Sequence, residues 1–113
     1  DTISMKKLIV IGLALLIGGG LTARAADAKE IWEKDCAKCH GADGKGKTKM
    51  GEKLGVKDYT DPKVQSELKD EEMVKSIKEG VKDKEGKNKM KAFSDLSDAD
   101  VKALVAHIRA FKK

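Results

Sequence analysis

Cys36-Ala37-Lys38-Cys39-His40 is the stretch on which the reading turns, because it holds both cysteines of the chain. Two residues three apart on a helix point the same way. A helix does lead into them: Asp27 suits an N-cap, and the helical pattern runs to about Lys38. Ile31 and Trp32 fall on one face, with Ala28 a turn earlier and Cys36 a turn later. Gly41, Gly44 and Gly46 then open a loop that carries Lys45, Lys47 and Lys49.

Four chemistries compete for these residues. A disulfide between Cys36 and Cys39 would close almost no loop and leaves His40 without a role. A thioredoxin-type dithiol belongs to a βαβ setting, and no strand pattern is visible. A structural zinc site wants four ligands, and beyond Cys36, Cys39 and His40 there is only the distant His107. The fourth reading uses every residue. Two thiols at this spacing reach the two vinyl groups of one haem, and the adjacent imidazole reaches the iron. Cys-x-x-Cys-His therefore reads as c-type haem attachment.

An export signal in front supports that reading. Met5 is the expected start, with Lys6 and Lys7 as a basic head and an apolar run of 14 residues from Leu8 to Leu21. Ala23-Arg24-Ala25 supplies small residues at a peptidase site, so cleavage is expected after Ala25, with Ala26 as second choice. The run falls short of the roughly 20 residues that span a bilayer, which argues against an uncleaved anchor. Residues 1–4 read as cloning residue or an over-called start, 5–25 as a cleaved signal and 26–113 as the functional domain.

The full chain has 24 basic and 19 acidic residues, a net charge of +5. Without the signal, 21 basic residues face 18 acidic ones in 88 residues, and the balance falls to +3. Nucleic-acid binding usually leaves a domain-wide basic excess as its footprint, so that class is poorly supported. A domain this small, with one Trp, one Tyr and two Phe, struggles to build a core from side chains alone. Something besides side chains is expected in its middle.

The remaining pattern is all-α. A short helix opens at Pro62 with Asp61 as its cap. A third runs from about Asp70 to Glu79, with Met73, Val74 and Ile77 as its apolar stripe and Gly80 as its C-terminal cap. Residues 82–91 read as a polar loop. The last helix has Ser97 as N-cap, buries Val101, Leu104, Val105 and Ile108, and ends near Phe111.

A haem iron that carries electrons wants a second strong axial ligand, and a thioether favours the ferrous state. Met73 sits on an apolar helical stripe and reads as core. Met50 lies only ten residues past His40, which makes its reach awkward. Met90 lies far along the chain in a loop before Ala92 and Phe93, free to wrap the ring. Met90 is the favoured ligand and Met50 the second choice.

With these residues assembled, the chain resembles the small class I c-type cytochromes of bacteria over essentially all of 27–113. Cys36–His40 is the most specific part. Trp32, four residues before Cys36, is similar to the aromatic of the family's first helix. Leu54, fourteen residues past His40, is similar to a leucine that packs on the haem. Met90-Lys91-Ala92-Phe93 resembles the methionine loop, which puts Phe93 beside the cofactor, and 104–109 resembles the C-terminal helix. The resemblance implies about four helices wrapped round one covalently attached haem c, with His40 and Met90 on the iron. Tyr59 would either hydrogen-bond a haem propionate or simply pack.

The chain also departs from the pattern. Lys91 follows the ligand methionine where a proline is common. Glu52 stands where a proline carbonyl usually accepts a hydrogen bond from the histidine ligand, a role its own carbonyl could fill. His107 replaces an aromatic and reads as a packing residue at the helix crossing. Lys45, Lys47, Lys49, Lys87, Lys89 and Lys91 flank the loops expected to border the haem edge, and would steer acidic partners.

The function expected is that of an exported or periplasmic monomer, without a membrane span once cleaved. It would pass single electrons between a donor and an acceptor protein and transform no substrate. The rival is a catalytic or gas- or peroxide-responsive haem protein with a labile methionine. A third reading is a structural subunit of a larger oxidase.

Overall fold

The computed structural model describes residues 27–113. The expected start, signal and cleavage site lie outside them. Helix α1 covers 27–40, and its middle turn, Trp32–Cys36, is wound as a π-helix. There the Ala37 amide donates to the Trp32 carbonyl, five residues back. Single π turns of this kind cluster at functional sites. The helix continues through Ala37–His40, two residues past the expected end.

Helix α2, Lys49–Leu54, was not legible in the sequence. One glycine, two lysines and a glutamate leave no apolar stripe to read, and its start rests on one side chain. The Thr48 hydroxyl accepts from the Gly51 amide at 2.8 Å. Helix α3, Pro62–Glu67, begins as expected, with Asp61 accepting from the Lys63 amide. Helix α4, Asp70–Glu79, carries three acids in its first turn and stops at Gly80. Helix α5, Asp98–Ala110, is capped by Ser97 and ends at Phe111.

The polar loop expected over 82–91 is instead a small antiparallel hairpin. Strand β1, Val81–Lys82, pairs with β2, Asn88–Met90, and Val81 faces Met90 across an irregular register. Both strands are too short to show alternation. The turn chemistry is nonetheless specific: the Asp83 carboxylate accepts from the amides of Glu85 and Lys87, each at 2.9 Å. Among the described residues the fold is therefore helix-dominated, with five helices and one hairpin where about four helices were expected.

The core is the meeting of α1, α4 and α5. Ala28 and Trp32 pack with Met73, Ile77 and Phe93, and with Val101, Leu104, Val105 and Ile108. Leu104 and Val101 are the most deeply buried large side chains. A polar clamp closes the far end. Gln65 is only 4% exposed, and its amide donates to the carbonyls of Tyr59 and Ile108. Arg109 reaches from α5 to Gln65, to the Leu68 carbonyl and to the Asp70 carboxylate. A buried amide with its partners in place is stable, whereas an unpaired one would cost about 1–3 kcal/mol. The clamp thus ties α3, the start of α4 and the end of α5 to the backbone of Tyr59. Among the described residues, no helix is long and apolar enough to cross a membrane.

Candidate functional site

The end of α1 would leave its last carbonyls unpaired. Here two downstream groups and one side chain of α1 itself take them. The Thr48 hydroxyl donates to the Cys39 carbonyl at 2.7 Å. The Gly46 amide donates to the His40 carbonyl at 2.8 Å, and the Trp32 indole N–H donates to the Gly41 carbonyl at 2.9 Å. The turn holding Cys39 and His40 is fixed by the polypeptide itself.

His40 lies in an aromatic cluster. Its ring stacks on Tyr59, with centroids 5.3 Å apart and planes 20° apart, and touches Trp32 at 5.5 Å. Tyr59 is held from both backbone sides, its amide donating to Gly44 and its carbonyl accepting from Gln65. Burial pushes the His40 pKa down, so the ring is held neutral, the form that ligates metal. Its Nδ1 is buried with no hydrogen-bond partner. The Glu52 carbonyl does not supply one. Helix α2 meets the attachment turn through Thr48 and Gly51, at Cys39, instead.

Two adjoining hollows meet at this ring. The inner one, of about 160 Å³, is lined by Trp32, Cys36, His40, Tyr59, Met73, Met90 and Phe93 among others. The outer one, an open groove of about 620 Å³, shares Cys36, His40, Tyr59, Met90 and Phe93 and adds Cys39 and Leu54. That volume falls within the roughly 300–1,000 Å³ usual for ligand pockets. Every residue singled out in the sequence as cofactor-binding lines one or both. Met50 lines neither and is 39% exposed. Met73 is buried in the core and lines only the inner hollow. His107 packs edge-on against Phe111 at 4.9 Å and against Trp32 at 5.5 Å, away from both hollows, in keeping with a packing role.

The rival chemistries of the two thiols fare poorly. Cys36 and Cys39 are not bridged. Burial, then the charge of Asp35 and then Cys39, pushes the Cys36 thiol up to about 11. A redox-active cysteine is normally shifted the other way. Among the described residues, no three His, Cys, Asp or Glu side chains converge as a metal-binding group.

A family profile described as "Cytochrome C oxidase, cbb3-type, subunit III" matches residues 23–108. The chain is a class I c-type cytochrome. Two solved structures are similar to it. One is the KustC0563 c-type cytochrome, at 34% identity and a TM-score of 0.64, the match covering 76% of this chain and 98% of that one. The other is a mutant of that cytochrome, at 34% identity and a TM-score of 0.62, covering 76% and 99%. No curated protein matches.

Membership of the family implies haem c, and the residues of this cytochrome fit it. A neutral imidazole, a protonated thiol and a thioether line one hollow together, in a chain whose own core is small. The lysine rim differs from the one expected. Lys89 and Lys91 line the groove, but Lys34, Lys38 and Lys57 join them in place of Lys45, Lys47, Lys49 and Lys87. Sequence reasoning also missed Thr48, Gly51 and Gln65. Thr48 leaves a faint signal as a capping residue, whereas Gln65 leaves none.

Gly80 controls where Met90 sits. It has φ of +78°, and a Cβ there would lie 2.7 Å from the Met90 carbonyl and 2.9 Å from the Ala92 amide. Gly86 shares the positive φ, at +83°, but faces open space. Backbone strain alone costs about 1–2 kcal/mol. Gly86→Ala in the cytochrome should therefore lose about that much in guanidinium unfolding. Gly80→Ala should lose a further 1–3 kcal/mol or so, since the collision is with backbone. Equal losses would contradict this account of the hairpin.

Proposed function

We propose that this cytochrome is a one-electron carrier, exported as a monomer after removal of 5–25, that shuttles between a donor and an acceptor protein. In this reading Cys36 and Cys39 tether one haem through thioether bonds, and His40 and Met90 ligate its iron. Leu54, Tyr59 and Phe93 pack around the ring. When bound, haem supplies an iron centre that gains or loses one electron. The single observation that carries the reading is that His40 and Met90 both line the inner hollow and the groove, together with Cys36.

The chain's own part is to hold those groups still. The aromatic cluster of Trp32, Tyr59 and His40 keeps the imidazole neutral and shielded from water. The hairpin pairs Met90 with Val81, and both line the groove. Were His40 and Met90 both to hold the iron, little would need to move when its charge changes, and no site would stay open for a substrate. That is why a carrier is favoured over an enzyme.

The groove suits an acidic partner. Five lysines and one aspartate, Asp35, line it, a local balance of +4 that exceeds the +3 of the whole of 26–113. Such a local field steers encounter and fades with added salt. The family profile's description names an oxidase subunit, and assembly with an oxidase stays one outcome of a partner search.

Two outcomes test the proposal. Met90→Ala should abolish the weak far-red absorption band that marks methionine–iron bonding and should admit carbon monoxide to the reduced protein. Met50→Ala and Met73→Ala should keep the band. Fast carbon monoxide binding by the wild type at neutral pH would instead support the gas-responsive reading. Secondly, replacing Lys89 and Lys91 together by Glu should slow reduction by an acidic donor by at least about tenfold at low salt. The same change at Lys45 and Lys47 should have a much smaller effect. Stopped-flow reduction across a salt series checks this, and equal effects would remove the groove from docking.

A further inference from the structure

Thr48 stands outside both hollows, yet it is bonded to the attachment motif itself. Its hydroxyl makes two hydrogen bonds with different senses. It donates to the Cys39 carbonyl at 2.7 Å and accepts from the Gly51 amide at 2.8 Å. One small group therefore caps α2 and holds the backbone of the second attachment cysteine. The contact is tight on both sides. A Cβ built on Gly51 would fall 2.2 Å from the Cys39 carbonyl oxygen and 2.6 Å from that of Gly46. Gly51 lets α2 approach the turn, and Thr48 latches it there.

The two cysteines are held differently. Cys36 belongs to the π turn, whose Trp32 is anchored by its indole to Gly41 and buried in the core. The hold on Cys39 is local: its carbonyl is an otherwise free acceptor at a helix end, and Thr48 is its partner. We propose that Thr48 is a positioning residue for haem attachment, holding the Cys39 backbone so that its thiol meets a vinyl group. The bond-forming step is an addition. The thiol sulfur bonds to one vinyl carbon, its hydrogen passes to the other, and no oxidant or reductant is consumed. A thiol misplaced by even about 1 Å loses much of its effective concentration. Loss of the latch should therefore leave chains joined through Cys36 alone.

The inference rests on the haem reading of Cys36–His40, and the experiment separates the two. The full chain and three variants are expressed with a haem-attachment apparatus, and free thiols are alkylated under denaturing conditions and mapped by mass. Thr48→Ser keeps donor and acceptor. Thr48→Val removes both. Thr48→Asp keeps the helix cap, because an ionised carboxylate accepts, but it has no proton to donate. Val and Asp should both raise the fraction of chains with free Cys39 by roughly tenfold, the scale seen when supporting contacts of a metal site are lost. Ser should match the wild type, and Cys36 should stay blocked in all four.

Full attachment in the Asp variant would overturn the proposal, because capping alone would then suffice. Free Cys36 as often as free Cys39 would also overturn it, by showing a general loss of folding. A wild type that carries no haem would sink the earlier reading instead.

Discussion

The hydrogen bonds that close the end of the first helix are the constraint from which the rest follows. Helix ends leave carbonyls without partners, and a buried one costs about 1–3 kcal/mol. Here the carbonyls of Cys39, His40 and Gly41 are each met by a group from elsewhere: a hydroxyl, an amide and an indole. The turn that bears the chemistry is thereby made rigid before any cofactor is considered. It also fixes the neighbours. Trp32 must stay buried to reach Gly41, and through Trp32 the turn is joined to Phe111 and His107 at the end of α5.

That rigidity has an energetic reason. A chain with so few aromatic residues cannot close its core around nothing, and its apolar side chains instead frame two hollows. The helical core of α1, α4 and α5 forms one wall, and the hairpin with the segment just after it forms another through Met90 and Phe93. The polar clamp of Gln65 and Arg109 seals the far end and steadies Tyr59, whose ring lies on His40. Stability and site meet in Trp32, which is buried in the core and touches the His40 ring.

What was legible in the sequence was what strong local chemistry dictates. The attachment motif, the Pro62 and Ser97 helix starts, the Gly80 stop and the apolar stripe of α5 are each set by neighbours in the chain. The spacing of Cys36, Cys39 and His40 nominated the cofactor that the family implies, while Met90, expected in a loop, lies on β2 and lines both hollows. Three things were not legible. Helix α2 was hidden because it docks by backbone contact at Gly51 and buries no stripe. The hairpin was hidden because two- and three-residue strands have no period to detect. Gln65 was hidden because its partners lie 6 and 43 residues away, at Tyr59 and Ile108. The lysine rim was read from sequence neighbourhood, and space replaced four of its six members with Lys34, Lys38 and Lys57.

The account depends on a ring fastened by two sulfurs, and the weight of the purified chain after acidic acetone measures that directly. If the account is right, the mature chain from 26 onward keeps the mass of a single haem after extraction, and loses it only when Cys36 and Cys39 are both replaced. A colourless polypeptide at the bare chain mass, made alongside a working attachment apparatus, would contradict it.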